Sequence, residues 1–429
     1  MSNYKIIRVA GLHYSTLIKS FYQHDLTLKQ KPYDEQQKAL FHQANAYGNS
    51  FSQGMRVLGH DAHELVYDLE PMQKRWAEEF GISFRSSYWQ WDILLAQIEK
   101  MRPDILFFQD LHALPFSLRK SLKSRFPFLK LVVIFRGYPG TSKNLFKDLA
   151  AADVLLVGSP ILFEKCCKAR LHPHLVYHYF DESILRKISP SPMKMKRYNF
   201  TFAGSSGYGY GLNYELRYRA LVDLLKKTPL EVWIDEGGQE NFRSTQQMIV
   251  DESKKIVKRC LSLCPNSTLQ QLCKIPLPLS VQTIIHKIIN EKNLSHHFQP
   301  LQILFPSQCH RGVFGLEMYQ LLSDSKLTFN IHSSPAAGSV DNIRLFQATG
   351  VGTCLLTDWG SNMHQLFEAD SEIVTYRSID ECIEKTSFLL RHDEIRQTIG
   401  QAGQNRTLKN HTSIQRLRQM DEIFQKALN

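Results

Sequence analysis

The sequence predicts an α/β protein built from two doubly wound parallel sheets, and three observations lead there. Strand-like apolar runs alternate with amphipathic helical stretches from residue 5 to residue 180, the pattern of a parallel sheet with helices on both faces. Pro190, Pro192 and the basic run from Lys194 to Arg197 then interrupt the alternation, as a linker between domains would. A second series opens at Tyr198 with a strand, a glycine-rich loop and a helix. A chain of 429 residues is long enough for two such domains. The expected division is a first domain over 1–192, a second over 193–410 with a helical insertion at about 240–300, and a C-terminal helix over 411–429 that packs back on the first domain.

In the first half, Lys5 to Ala10 reads as a strand, with Gly11 and His13 in the loop at its C-terminal end. Strand C-termini face the ligand crevice in open α/β sheets, so both residues are candidates for substrate contact. Asn45 to Leu58 reads as a helix, Ala62 to Tyr67 as the second strand, and Gln73 to Phe80 as a helix stopped by Gly81. Trp91 to Lys100 is helical up to the break at Arg102-Pro103, and Asp104 to Phe108 is the third strand. Asp110 and His112 follow it, where either a general base or loop caps would sit. Leu114 to Phe126 reads as one helix, Leu129 to Phe135 as the fourth strand, and Asp153 to Pro160 as the fifth strand and its loop. Leu175 to Phe180 closes this half.

In the second half, Tyr198 to Ala203 is the first strand and Gly204-Ser205-Ser206-Gly207 opens a loop of glycines and tyrosines. Strand, glycine-rich loop and helix is an arrangement that cradles phosphates. The loop lacks both the dinucleotide fingerprint and the P-loop lysine. Residues 240–300 are basic, helix-prone and interrupted by prolines, with no chemistry of their own to read.

The most informative stretch runs from Ser339 to Gly352. Ser339 or Asp341 suits an N-cap, Ile343, Phe346 and Ala348 suit one buried helix face, Gly350 suits a left-handed C-cap, and Gly352 suits a tight turn into the strand Thr353 to Asp358. A helix N-terminus beside Asn342 and Arg344 offers a phosphate its N–H donors, the helix dipole and a guanidinium. An ordinary helix–strand unit with a surface arginine has the same spacing.

Composition narrows the classes. Hydrophobic content is 43% and charged content 22%, ordinary for a globular protein. No apolar run approaches the length of a membrane span, and the N-terminus is too short and charged for a signal peptide. The expected location is cytoplasmic, with room for a peripheral contact at the inner face of a membrane. Eight cysteines without a tight His/Cys pattern predict reduced thiols and no metal site. The net charge of +11 favours anionic partners. It is spread along the chain without a nucleic-acid-binding signature, so nucleic acid is not the expected partner.

The second half resembles the CgeB-like, family-1-type glycosyltransferases of the two-domain GT-B architecture. The residues that carry the resemblance are Phe202-Ala203-Gly204-Ser205, Gly315 to Tyr319, Asp324 to His332, Asn342 to Gly350, Leu355 to Asp358, Leu366-Phe367-Glu368, Glu372 to Tyr376, and His411-Thr412 with Arg416. The resemblance implies two Rossmann-like domains facing across a cleft, and a nucleotide-diphosphate sugar held mainly by the second. Donor-binding residues would be Gly204, Ser205, Ser206, Arg217, Asn330, His332, Asn342, Arg344, Gln347 and Gly350. A glycan, lipid-linked glycan or protein acceptor would lie against the first domain, with His13, Asp110 or His112 as the base of an inverting reaction. No cofactor is implied beyond the donor substrate. The chain has no Asp-x-Asp, the metal–diphosphate motif of the other large glycosyltransferase fold, so the leaving diphosphate would be neutralised by Arg, Lys and helix dipoles. Two departures stand out: Gln347 occupies a position usually Glu, and Ser339 the position of a second Glu in many retaining members. They keep a catalytically silent nucleotide-sugar- or glycan-binding protein as the alternative to a transferase.

Overall fold

The computed structural model describes residues 3–12, 15–23, 25–44, 48–137, 144–189, 195–207, 215–234, 261, 263–272, 275, 285, 299–332 and 338–429. Most of the glycine-rich loop beyond Gly207, the linker 190–194, nearly all of 240–300, and His13 lie outside them.

Two six-stranded sheets carry the fold. The first contains β1 (Lys5–Ala10), β2 (Asp61–Val66), β3 (Ile105–Phe108), β4 (Leu131–Arg136), β5 (Val154–Val157) and β6 (Pro173–Leu175) in the order β2-β1-β3-β4-β5-β6. The second contains β7 (Tyr198–Gly204), β8 (Leu230–Ile234), β9 (Cys309–Arg311), β10 (Ser325–Asn330), β11 (Cys354–Asp358) and β12 (Val374–Tyr376) in the order β12-β11-β10-β7-β8-β9. Every pairing is parallel. Parallel sheets need both faces covered, and the apolar runs supply that cover. Alternate residues of the first sheet enter opposite cores: Ile7, Leu106, Ile134 and Leu155 on one face, Ile6, Phe107, Val133 and Leu156 on the other.

The last helix, Ser413–Leu428, completes that second face. Leu417, Met420 and Phe424 join the core under β1, β3, β4 and β5. Tyr4 donates a 2.6 Å hydrogen bond to Asp421, and His60, stacked on Tyr4 at 3.8 Å, places Nε2 3.0 Å from the same carboxylate. The chain crosses between domains where Phe180 N–H donates to the His411 carbonyl at 2.8 Å and pairs with Thr412. The expected closing strand over Leu175 to Phe180 is therefore divided. Pro173–Leu175 joins the sheet, while Phe180, Ile184 and Ile188 pack into the core of the second domain with Met318, Leu345 and Phe346.

One local expectation changes. The helix expected over Leu114 to Phe126 is two short ones, Phe116–Lys120 and Leu122–Arg125, because the chain tightens at Ser121, whose N–H bonds back to Leu118 at 3.2 Å. The six cysteines among the described residues are free, and no described helix is long and apolar enough to cross a membrane.

Candidate functional site

In the second sheet the winding direction reverses between β7 and β10. Open α/β sheets bind ligands at such a switch point, beyond the strand C-termini. A cavity of about 220 Å³ lies there. Gly204 and Ser205 from the end of β7, Trp233 from β8, Phe314, Gly315 and Met318, and Arg344 and Gln347 from the Ile343–Gly350 helix form its wall on this side. Leu12 and Leu17 of the first domain close the opposite side. The domains are latched beside it: Phe314 packs among the first domain's apolar side chains, and Leu316 N–H donates to the Gln43 carbonyl at 2.9 Å.

Among the described residues that line the cavity, Arg344 is the one charged group. Its guanidinium is fixed from two sides: Nη2 donates to the Ala203 carbonyl at 2.8 Å and Nη1 to Gln347 Oε1 at 2.9 Å, with Met318 Sδ 2.7 Å away. Gln347 is buried and spends its amide Nε2 on the Tyr319 hydroxyl at 3.2 Å. Burial pushes the Tyr319 hydroxyl up to about 12, so it stays neutral. The carboxamide thus orients Arg344 without neutralising it, as a carboxylate there would.

The helix that presents Arg344 starts differently from the expectation. Neither Ser339 nor Asp341 is its N-cap; Asn342 is, its Oδ1 accepting from Leu345 N–H at 3.3 Å. Asn342 can do so because Asn330 at the end of β10 grips its amide, with Asn342 Nδ2 to Asn330 Oδ1 at 2.8 Å. That bond leaves part of the helix's donor capacity used rather than free for a phosphate. Ile343 is only half-buried, while Leu345 through Gly350 are all buried, since the Asp393–Asn410 helix covers the far side. Gly350 is still helical and makes no left-handed cap. Gly352, at φ +80°, makes the turn. Gly350 instead makes room for Phe180: a Cβ there would sit 2.4 Å from its ring.

His332 supports the loop before the helix. Its Nδ1 lies 2.7 Å from Asp358 Oδ1, and its Nε2 accepts from the N–H groups of Asp341 at 3.2 Å and Asn342 at 3.4 Å. These partners fit the neutral ring with its proton on Nδ1. Burial works to raise the Asp358 carboxyl, but His332 outweighs it and holds the group below its usual value. Arg217 ties the same corner together, donating to the carbonyls of Ile331 at 3.0 Å and Ser205 at 3.5 Å. Of the sequence-derived donor residues, then, Gly204, Ser205, Arg344 and Gln347 meet at the cavity. Ser206, Arg217, Asn330, His332, Asn342 and Gly350 do not line it.

On the first domain, Asp110 accepts from the Tyr67 hydroxyl and from His112 N–H at 2.9 Å, so its carboxylate closes its own loop. The His112 ring is exposed. His13 lies outside the described residues. Sequence reasoning missed Trp233 and Met318 as cavity-lining residues. It read Asp341 only as an N-cap candidate, whereas the structure buries its carboxyl.

The geometry can be set beside known proteins. HepE of Anabaena in complex with UDP-glucose superposes with a TM-score of 0.57 at 11% identity, covering 99% of this chain and 100% of that one. A glycosyltransferase from Rickettsia africae ESF-5 gives 0.54 at 10% identity, with 100% of each chain covered. Sucrose-phosphate synthase from Thermosynechococcus elongatus gives 0.53 at 9% identity, with 99% of each covered. The two six-stranded parallel sheets are those of the GT-B glycosyltransferase architecture. Residues 296–422, which hold the Arg344 helix and its supports, match the family model described as glycosyl transferase-like. No curated protein sequence matches the chain.

Proposed function

We propose that the protein is a glycosyltransferase of the CgeB-like, hexosyl-transferring kind that takes a nucleotide-diphosphate sugar at the second domain. The observation that carries this reading is the fixed positive charge of Arg344, the one charged group among the described residues lining the cavity at the sheet's switch point. A guanidinium held in place by a carbonyl and an amide at a cavity wall suits a dianionic diphosphate. It also stabilises the charge that develops as a nucleoside diphosphate leaves, and in this reading no metal is required. The donor bound by HepE makes UDP-glucose the first compound to try. The acceptor, a glycan, lipid-linked glycan or protein, lies on the first-domain side. For an inverting transfer the exposed His112 is a better base than Asp110, whose carboxylate is already engaged. The setting we propose is the cytoplasm, with the basic surface able to touch the inner face of a membrane. The second reading is a catalytically silent nucleotide-sugar- or glycan-binding protein, favoured by Gln347 and Ser339.

A thermal-shift panel of UDP, GDP, TDP, CDP and their sugars, with wild type and Arg344→Ala in EDTA, tests the donor site. A nucleotide present at 100 times its Kd stabilises the folded state by about 2.7 kcal/mol. The expected result is a shift for one nucleotide that Arg344→Ala loses. No shift with any nucleotide sinks the donor site. A shift without donor hydrolysis or transfer favours the silent reading.

A further inference from the structure

We propose that Asp341 is a ligand-binding residue of this site, its Oδ2 taking a hydroxyl of the group carried on the diphosphate. The inference rests on the donor reading of the Arg344 cavity. Asp341 is 5% exposed, and its Oδ2 has no hydrogen-bond partner among the described residues. A buried carboxyl oxygen without a partner is costly, and native structures keep one where a ligand or a proton completes it.

The surroundings show that Asp341 is held without its side chain being used. Its own N–H is bonded to His332 Nε2. Val340 before it is clamped by Asn362, which accepts from Val340 N–H and donates to the Val340 carbonyl, both at 2.8 Å. Asn342 after it is fixed by Asn330. The loop would stand with any small side chain at 341, so its architecture does not explain a carboxyl.

The placement suits a group extending from the diphosphate. Two residues further on, Ile343 lines the cavity. Two residues earlier, Ser339 Oγ lies 3.1 Å from Ser159 Oγ of the first domain. Asp341 is not itself in the cavity lining, but it lies in the loop between the lining residue Ile343 and the Ser339 contact to the first domain. Ser339 is engaged with Ser159, which leaves Asp341 as the acid of this loop. Among the described residues, the titratable and charged groups acting on it are these. His332 faces it and is itself paired with Asp358, and Tyr177 lies on the first-domain side with Arg416 acting on Tyr177. Burial raises the Asp341 carboxyl to about 7, against the pull of His332. A sugar hydroxyl donating to Oδ2 favours the ionised form, so binding near neutral pH releases a proton. The diphosphate diester of a nucleotide sugar has no group titrating there.

The test is calorimetry on the full chain with UDP-glucose against UDP and GDP-mannose against GDP, for wild type, Asp341→Asn and Asp341→Ala. We expect one pair in which wild type prefers the sugar form. Asp341→Ala should lose that preference about tenfold or more while parent nucleotide affinity holds within twofold. Titrations at pH 7 in two buffers of different ionisation heat should show proton release with wild type and none with the isosteric Asp341→Asn. Three results overturn the inference: no preference in either wild-type pair, an unchanged preference in both variants, or equal losses for sugar form and parent nucleotide. Binding of no compound to wild type overturns the donor reading and this inference with it.

Discussion

Both sheets are parallel and doubly wound, yet their switch points are filled in opposite ways. Between β1 and β3 of the first domain, Arg8 bonds Glu64 at 2.5 Å, Gln109 at 2.8 Å and the Gly48 carbonyl at 2.7 Å, and Glu64 also accepts from Ser52 N–H at 2.9 Å. Both charges are over nine-tenths buried. Burial raises the Glu64 carboxyl and Arg8 opposes it. Between β7 and β10 of the second domain a single arginine is held by neutral acceptors at the wall of a cavity. The first arginine is closed in by a buried carboxylate, and the second faces a cavity. An arginine paired in the core makes structure, and one held at a cavity wall is a candidate for a ligand.

Exchanging the two arginines is the sharpest way to break this contrast. Arg8→Met leaves Glu64 charged and buried, and should cost about 3–5 kcal/mol in urea unfolding. Adding Glu64→Leu should recover most of it. Neither change touches the Arg344 cavity, so any nucleotide shifts should persist in whatever protein folds. Arg344→Ala should behave inversely. It removes the charge proposed to meet the diphosphate and should lower turnover by about 10²–10³, with a smaller loss of stability. A variant in which Arg8 controls turnover and Arg344 controls folding would reverse the assignment.

The two carboxyls around His332 sharpen the contrast by pH. The folded Asp341 carboxyl titrates at about 7 against an ordinary 3.8. The folded state therefore binds more protons than the unfolded one between those values, and this group's contribution to stability falls as pH rises from about 4 to 7, then levels. Asp358 is held below 3.8, so its contribution is present above that value and is lost as pH falls through the folded pKa. Asp341→Asn should thus be more stable than wild type by a few kcal/mol at pH 8 and by little at pH 4. Denaturation midpoints at the two pH values check it. A gain equal at both would show that the acid is not what burial destabilises. Stability gained with sugar selectivity lost is the trade expected of a binding residue.

The fold was legible because parallel sheets write themselves as apolar runs. Ile105 to Phe108 and Val154 to Val157 are buried at every residue, and such runs alternate with helices along most of the chain. The site was legible only in its frame. Gly204, Ser205 and Arg344 follow from a strand–loop–helix pattern. Asp341 does not, because its burial depends on His332, Asn362 and Tyr177, which lie up to 164 positions away in sequence. Asn342 was placed at the helix start but read as a phosphate neighbour. Its capping role depends on Asn330, twelve residues back.

Gly350 shows the same limit and gives the smallest of the expected effects. As a sequence it is a helix stop, but in the fold it is a contact, with Phe180 of the crossover packed where a Cβ would stand. Phe180 is fully buried and meets Tyr319 edge-on at 6.2 Å, so it has little freedom to yield. Gly350→Ala should therefore cost about 1–3 kcal/mol by overpacking, and Phe180→Leu in the same chain should return part of it. Gly54, where the last helix docks on the first domain, would bring a Cβ even closer to a neighbour, 2.2 Å from Leu417 Cδ1. That atom is the far end of a flexible side chain, so Gly54→Ala should cost less than Gly350→Ala despite the shorter distance, helped by alanine's better helix propensity. If the two costs come out reversed in denaturant midpoints, the crossover at Phe180 is softer than the docked helix. The joint between the domains, rather than the packing of the last helix, would then be where the chain gives way.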